Sequence, residues 1–552
     1  MAGLFARLAL EHFAERARPG IVLSSPFHRP FGTLDHVAEQ LARTVGQDAA
    51  SLPLSEGLHF ITSLYPAMLP DRTRGDLGAY YTPPCLVERL ADLAAETGTD
   101  WSSARVLDPA VGAGAFLVAA ASRMEADLRG VSPAVALRRI GSRLVGLEID
   151  PVAAGLAQAS LEVVLHDLAM AARRKVPTVV RVCDTLSIQP DPKFDLVIGN
   201  PPYGRVALSA EQRALFGRSL FGHANLYGVF TDLALRWAKP GGHIAFLTPT
   251  SFLAGQYFSA LRRLLATEAP PAAIDFVNAR RGVFEDVLQE TVLTIFARGA
   301  VQQRARVHYV NVRTESDAEV VRNGTIGLPC DCAAPWLAPR TPGHSGLIAR
   351  VEGMASRLSH YGYAVSTGPL VWNRHKGQLR SHPGKGDVLP LIWAECVSPD
   401  GRFVFRALKR NHAPYFELGP DDDWLRVETP CVLLQRTTAK EQARRLIAAE
   451  LPEAFIRQHG GVVVENHLNM IWPVGQPAVP PSVLAALLNS RTVDQVFRCM
   501  SGSVAVSAFE LEHLPLPDAR QLKPLARLIA SGKADPAMIA SKIDRLYGWK
   551  PE

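Results

Sequence analysis

Between residues 76 and 300, short apolar runs alternate with helical stretches, and no other feature of the chain limits its possible folds as strongly. The runs are RVLDPA (105–110), RLVGLEID (143–150), VVRVCD (179–184), FDLVIGN (194–200), GHIAFLTP (242–249), AAIDFVN (272–278) and ETVLTIFA (290–297). Helical patterns such as AFLVAAASRMEADLRG and VAAGLAQASLEVVLHDLAMAARR lie between the early ones. This strand–helix alternation predicts an α/β domain with a doubly wound, mostly parallel sheet. The last two runs are joined by ARRGVFEDVLQ, too short for a regular helical crossover. They are expected as an antiparallel pair at one edge of the sheet.

The flanks read differently. Residues 1–75 carry helical apolar stripes, as in LDHVAEQLART and GLHFITSLYPAML. After about 306 the composition shifts toward proline, glycine and tryptophan. Short strands (FVFRAL, CVLLQRT, GVVVENHLNMIWPV) and scattered helices then predict a separate α+β domain over 306–520, with a helical tail at 521–552. At 552 residues the chain is too long for one ordinary core. With 47% hydrophobic and 20% charged residues it is a globular sequence. The net charge of +6 is compatible with a polyanionic partner. The seven cysteines lack paired spacing, which suits a reducing, cytoplasmic setting. Cys330 and Cys332 form a lone pair with no second ligand pair nearby, so no metal site is expected. The N-terminus reads as an amphipathic helix rather than a signal peptide, and no run is long enough to span a bilayer.

The fourth run ends in Asn200-Pro201-Pro202-Tyr203. Two prolines cannot continue a central strand, so a stiff polar loop begins where the strand stops. Such loops at strand ends are where α/β proteins place their chemistry. The first run ends in Asp108-Pro109-Ala110 and opens a helix through Gly112 and Gly114. This is neither a phosphate-binding GxxxxGK[ST] loop nor a full GxGxxG, and no lysine waits for a phosphate. Glu148 ends the second run and Asp184 follows the third. Each acid alone is equally well read as a helix cap or turn residue. It is their succession after consecutive strands that suggests a ligand: Glu148 for two ribose hydroxyls, Asp184 for an adenine amino group.

This constellation resembles the S-adenosylmethionine site of Rossmann-like methyltransferases, which have a seven-stranded mixed sheet. With NPPY at the fourth strand, and with GAYYTPPCLVERLADL (78–93) upstream of the glycine loop, the order resembles that of the gamma (TaqI-type) class of DNA adenine-N6 methyltransferases. In type II restriction–modification systems that order is followed by a C-terminal target-recognition domain. The resemblance implies cofactor contacts from Tyr81, Thr82, Pro83, Asp108, Pro109, Ala110, Gly112, Gly114, Phe116, Glu148, Ile149, Asp184, Thr185 and Asn200. It implies catalysis by Asn200, Pro201, Pro202 and Tyr203. The Asn200 side-chain oxygen and the Pro201 carbonyl would accept from the amino group, and Tyr203 would stack on the base. An adenine inside a duplex must be flipped out to reach such a pocket. Phe230 and Phe284 stand where the family places aromatic contacts to the flipped base, core packing being the alternative for both.

In the C-terminal half, STGPLVWNRHKGQLR (366–380), LLQRTTAKEQARR (433–445) and ENHLNMI (465–471) supply Trp372, Arg374, His375, Lys376, Arg436, Asn466 and His467. These residue types reach phosphates and base edges, and a solvated face would have the same composition. The implied partner is double-stranded DNA, with a separate cognate endonuclease, because no nuclease motif is found in residues 1–75. The NPPY motif also occurs in RNA and protein-glutamine amino-methyltransferases, whose glutamine-modifying members are much shorter chains. A non-catalytic DNA-binding subunit is a further alternative.

Overall fold

The structure is a computed structural model. It describes the chain except for residues 25–32, 78–81, 192, 280–289, 302–303, 385–386, 438–443, 503–504, 534 and 550–552. The described residues form two compact units, Met1–Phe252 with Tyr257–Ala333, and Leu253–Gln256 with Ala334–Glu552.

The first unit opens with helices α1 (Ala2–Ala17), α2 (His36–Ala49), α3 (Leu54–Ala67), α4 (Asp71–Leu77) and α5 (Pro84–Glu96). Strands and helices then alternate: β1 (Val106–Asp108), α6 (Ala115–Asp127), α7 (Pro133–Arg143), β2 (Leu144–Glu148), α8 (Pro151–Val164), α9 (His166–Ala172), β3 (Val180–Val182) and β4 (Phe194–Gly199). A small antiparallel pair, β5 (Arg205–Val206) and β6 (Ala224–Asn225), flanks α10 (Ala210–Leu215) and leads into α11 (Leu226–Trp237). The unit continues with β7 (Ala238–Pro249), α12 (Ser259–Glu268), β8 (Pro271–Ala279), β9 (Thr291–Ala297), β10 (Ala305–Val312) and β11 (Ala318–Ile326).

Nine of these strands form one sheet in the order β11-β10-β8-β9-β7-β4-β1-β2-β3. β1 is parallel to both β2 and β4, with Val106 opposite Leu144 and Leu196. The chain therefore winds one way from β1 to β2 and the other way to β4. That reversal opens a crevice at the carboxyl ends of the strands, where ligands of doubly wound sheets bind. The loops that begin at Asp108, Glu148 and Gly199 leave from this one edge. Proline at the first turn starts α5, α7 and α8, where its missing N–H costs no helical bond.

The expected architecture holds with three corrections. The sheet has nine strands rather than seven, because β10 runs parallel to β8 and β11 closes the edge. β11 is mostly exposed and carries almost no apolar signature, so composition placed a domain border near 306 where the sheet in fact continues. The antiparallel pair β8 and β9 consequently lies inside the sheet, with β9 between β7 and β8. The N-terminal helices are not a separate segment. Leu10, Phe13, Leu58 and Ile61 share a core with Leu156 and Val163 of α8.

The second unit holds a four-stranded sheet in the order Tyr363–Thr367, Leu468–Pro473, Cys431–Gln435, Ala448–Leu451. A second sheet has five short strands, and its central strand is Val388–Ile392. FVFRAL forms only a single bridge, from Phe403 to Val397. The helices of the expected tail are part of this unit: Leu525, Ile543 and Tyr547 are buried in one core with Leu484 and Phe497. No single described helix is long and apolar enough to cross a membrane.

Candidate active site

A cavity of about 420 Å³ opens at the switch point of the sheet, within the size range of small-molecule sites. The glycine loop forms its floor. The Val111 N–H donates to the Leu147 carbonyl at 3.0 Å, tying the loop to β2. Gly114 turns the chain into α6 with φ +102°, and a Cβ there would stand 2.9 Å from the Cα of Ala157 on α8. Only glycine satisfies both the left-handed backbone and that approach.

Glu148 clamps the loop from β2. Its Oε2 accepts from the Gly112 N–H at 2.8 Å, and its Oε1 accepts from the Ile149 and Asp150 N–H groups at 3.0 Å each. Burial raises its pKa above the ordinary carboxylate value, and those three donors pull the other way. Asp184 caps a short 3₁₀ turn, accepting from the Leu186 N–H and the Ser187 hydroxyl. The Thr185 hydroxyl donates to the Pro109 carbonyl at 2.7 Å and so fixes that turn to the glycine loop. Both acids cap or brace backbone and also border the cavity.

Asn200 stands across from this floor. Its Nδ2 donates to the Thr82 hydroxyl oxygen at 3.1 Å. Its Oδ1 is buried and has no hydrogen-bond partner. A buried amide oxygen left unpaired costs about 1–3 kcal/mol, so this acceptor is poised for a donor that the chain does not supply. Gly199, the residue before it, has no room for a side chain: a Cβ would lie 2.7 Å from Asp108 Oδ1. Asp108 is 1% exposed. Its Oδ1 accepts from the Ala110 N–H, its Oδ2 is unpartnered, and burial pushes its pKa up to about 8. It thus props the glycine loop against the end of β4 from beneath the cavity.

After Pro202 the chain pairs β5 with β6, and the Leu226 N–H donates to the Gly204 carbonyl at 2.9 Å. This closure brings α11 alongside, and Leu226 and Phe230, four residues apart on one helical face, border the cavity. A buried cluster holds α11 in place. Asp232 accepts from Arg218 at 2.6 Å, Arg236 at 3.1 Å and the Ser219 hydroxyl at 2.8 Å. Tyr203 is half-buried. Its hydroxyl donates to the Leu247 carbonyl at 3.2 Å and its ring meets Tyr227 edge-on at 6.1 Å.

Of the residues expected at the site, Thr82, Pro109, Ala110, Gly112, Phe116, Glu148, Ile149, Asp184, Thr185, Asn200, Pro202 and Phe230 border this one cavity. Pro83, Asp108, Gly114, Pro201 and Tyr203 are not among the residues that border it. Tyr81 and Phe284 lie outside the described residues. Sequence reasoning missed Asp150 and the α3 residues His59, Thr62, Ser63, Tyr65 and Pro66, which also border the cavity. Asp150 was visible in GLEIDP as a second acid, but nothing in residues 1–75 signals a wall of this site. The charged lining is acidic, from Glu148, Asp150 and Asp184, with no lysine or arginine among the described lining residues. Burial lowers His59 to about 4, so it adds no positive charge.

In the second unit the three expected DNA-contacting stretches converge at one end of the four-stranded sheet. Thr367 pairs with Asn469 and Gln435 with Leu468. The Arg436 N–H donates to the His467 carbonyl, its guanidinium to the Asn466 carbonyl, and the Asn466 N–H to the Leu370 carbonyl. His467 Nδ1 lies 2.6 Å from Oε1 of Glu465, which is 1% exposed, and the imidazole itself is largely exposed. Glu465, two residues before His467, was overlooked. Arg374 and Lys376 are exposed, and the Lys376 ammonium lies 5.8 Å from the Trp372 ring centre. Trp372 packs edge-on against Trp393 at 5.9 Å, and His375 bonds Gln378 at 2.8 Å. Both therefore have packing roles. Among the described residues no cluster could hold a metal ion.

Residues 63–325 match the family model described as N-6 DNA Methylase. That match spans just under half of the chain. Among its relatives, the Type II methyltransferase M.BsuBI of Bacillus subtilis is 26% identical over 462 residues, covering 81% of this chain and 88% of the relative. The Type II methyltransferase M.PstI of Providencia stuartii is 28% identical over 368 residues, covering 64% of this chain and 70% of the relative. In fold, the chain resembles the Type IIL restriction–modification enzyme MmeI, solved in complex with DNA. That likeness has a TM-score of 0.50 at 13% identity and covers 100% of this chain and 88% of the other.

Proposed function

We propose that this protein is an N-6 DNA methylase that transfers a methyl group from S-adenosylmethionine to N6 of an adenine flipped out of duplex DNA, at a sequence read by the second unit. The observation that carries the reading is the unpartnered, buried Oδ1 of Asn200, a residue that borders the same cavity as the glycine loop and Glu148. Thr82 accepts from the Asn200 amide nitrogen, which leaves the oxygen as the acceptor available to an amino group. An exocyclic amine is a poor nucleophile because its lone pair is delocalised into the ring. Acceptance of its N–H bonds by Asn200, and by the carbonyl of Pro201 with its fixed φ, favours a pyramidal nitrogen with an available lone pair.

The acidic lining fits a cationic cofactor. S-adenosylmethionine supplies a methyl group carried on a positively charged sulfur. Glu148 and Asp150 would hold its ribose side, Ile149, Asp184 and Leu186 its adenine, and the glycine loop its remaining length. Phe116 and Phe230 keep water from the reacting end, and Phe230 is placed for a flipped base. Within the family the order of segments supports the gamma class. Arg374, Lys376, Arg436, Asn466 and His467 supply the chemistry for phosphates and base edges. A cytoplasmic enzyme of this kind would protect DNA against a separate restriction endonuclease.

The test is incubation with labelled S-adenosylmethionine and duplex DNA, with RNA and protein-glutamine substrates in parallel. Label at adenine N6 is the expected result. Label confined to RNA or protein would overturn the reading.

A further inference from the structure

Helix α3 lies outside every motif read from the sequence, yet it forms a wall of the cavity through His59, Thr62, Ser63, Tyr65 and Pro66. It is held there firmly. A Cβ at Gly57 would stand 2.4 Å from the Ala49 carbonyl oxygen and 2.6 Å from the Phe13 ring. Leu58, Ile61 and Tyr65 are buried with Ala153, Leu156 and Ala159 of α8. The Tyr65 hydroxyl donates to Asp150 Oδ2 at 2.5 Å. The other oxygen of Asp150 caps α8 through the Val152 N–H at 2.8 Å, and its own N–H donates to Glu148 Oε1. Glu148 in turn holds Gly112. One continuous line of hydrogen bonds therefore runs from α3 through the end of β2 to the glycine loop.

We propose that Tyr65 is a positioning residue for cofactor binding, closing the Glu148 side of the pocket from the N-terminal helices by fixing the Asp150 carboxylate. The inference rests on the reading of this cavity as the S-adenosylmethionine site. Asp150 has two competing duties, the α8 cap and the pocket wall, and the phenol lets each oxygen serve one of them. Burial and the neighbouring Asp150 raise the Tyr65 pKa well above its ordinary value, so the hydroxyl remains a donor at every working pH.

The test uses the full chain and Tyr65→Phe, which keeps the ring and removes the donor. Four quantities are read: the Kd for S-adenosylmethionine by calorimetry, the Kd for duplex DNA, the melting temperature without cofactor, and the KM-against-kcat split. Loss of a hydrogen bond to a carboxylate predicts an increase of about tenfold in cofactor Kd and KM. DNA affinity, melting temperature and kcat at saturating cofactor should stay close to those of the unaltered chain. An unchanged cofactor Kd overturns the inference, as does weaker cofactor binding accompanied by matching losses of DNA affinity, melting temperature and kcat, which marks a purely structural residue. A second variant, Ser63→Trp, adds bulk on the same wall and should weaken cofactor binding at an unchanged melting temperature. Unchanged binding there also overturns it. If the unaltered chain binds no S-adenosylmethionine, the reading of the cavity fails instead, and the two failures are distinguishable.

Discussion

Asn200 and His467 use the same device in two settings. Each is a side chain with one polar end tied down, Asn200 by Thr82 and His467 by Glu465, so that its other end points in a fixed direction. The Asn200 oxygen is buried without a partner, whereas the His467 imidazole is 62% exposed. A buried orphan is costly in the free protein, and its cost is relieved when a ligand brings a donor. An exposed ring exchanges water for DNA at little cost either way. The first arrangement suits a chemical step that needs one geometry. The second suits reading a surface that slides past and must let go.

The contrast can be broken or sharpened in order of effect. Asn200→Ala should lower the transfer rate about 10³-fold, as loss of a preorganised hydrogen-bonding group at a reacting centre does. Cofactor affinity should hold within about threefold, since the proposed cofactor site draws mainly on other residues. A transfer assay with labelled cofactor, paired with calorimetry, measures both, and residual turnover within tenfold would remove Asn200 from the chemistry. His467→Ala should weaken binding to the cognate site by about 1–3 kcal/mol, the value of one base contact, and leave non-specific binding unchanged. Equal losses on all sequences would make His467 a phosphate contact and erase the distinction between the two regions. Arg374→Ala should weaken binding on every sequence alike and reduce the slope of log affinity against log salt by about one.

A separate test, read as stability rather than activity, asks whether burial governs the first region. A carboxyl raised from 3.8 in the unfolded chain to about 8 in the folded one binds its proton more tightly when folded. It contributes stability that is fully present below about pH 4 and is lost as pH rises through 8. Asp108→Asn removes this titration. The stability difference between the two proteins should therefore change between pH 4 and 8 by no more than about 1.4 kcal/mol per pH unit. Denaturant unfolding at a series of pH values reads it, and parallel curves would show that Asp108 is not desolvated.

Much of the first unit was legible because its strands are short, apolar and punctuated. FDLVIGNPPY announces a buried strand and its end, and VLDPAVGAGAF a strand, a turn and a helix start. Strand β11 was lost to the domain border because an exposed edge strand has little apolar pattern to detect, and β10, whose Val307, Val310 and Val312 are buried, was lost because the border was drawn at its start. The acids after β2 and β3 were found, and their double duty, bracing backbone while bordering the cavity, appeared only in three dimensions. In the second unit Arg436, Asn466 and His467 were singled out by residue type. Their meeting at one end of a sheet depends on strand pairing between residues far apart in the chain.

By itself, the sequence determined the alternating α/β plan, the glycine turn at Gly112 and Gly114 and the rigid Asn-Pro-Pro-Tyr end of β4. Each is set by local physics: apolar period, left-handed backbone, missing N–H. The tertiary structure alone decided that α3 walls the cavity, that Tyr65 meets Asp150, and that Asp108 lies beneath Gly199. These are contacts between segments whose local patterns carry no information about each other, and only the packing of α1 to α3 on α8 and the switch in strand order bring them within reach.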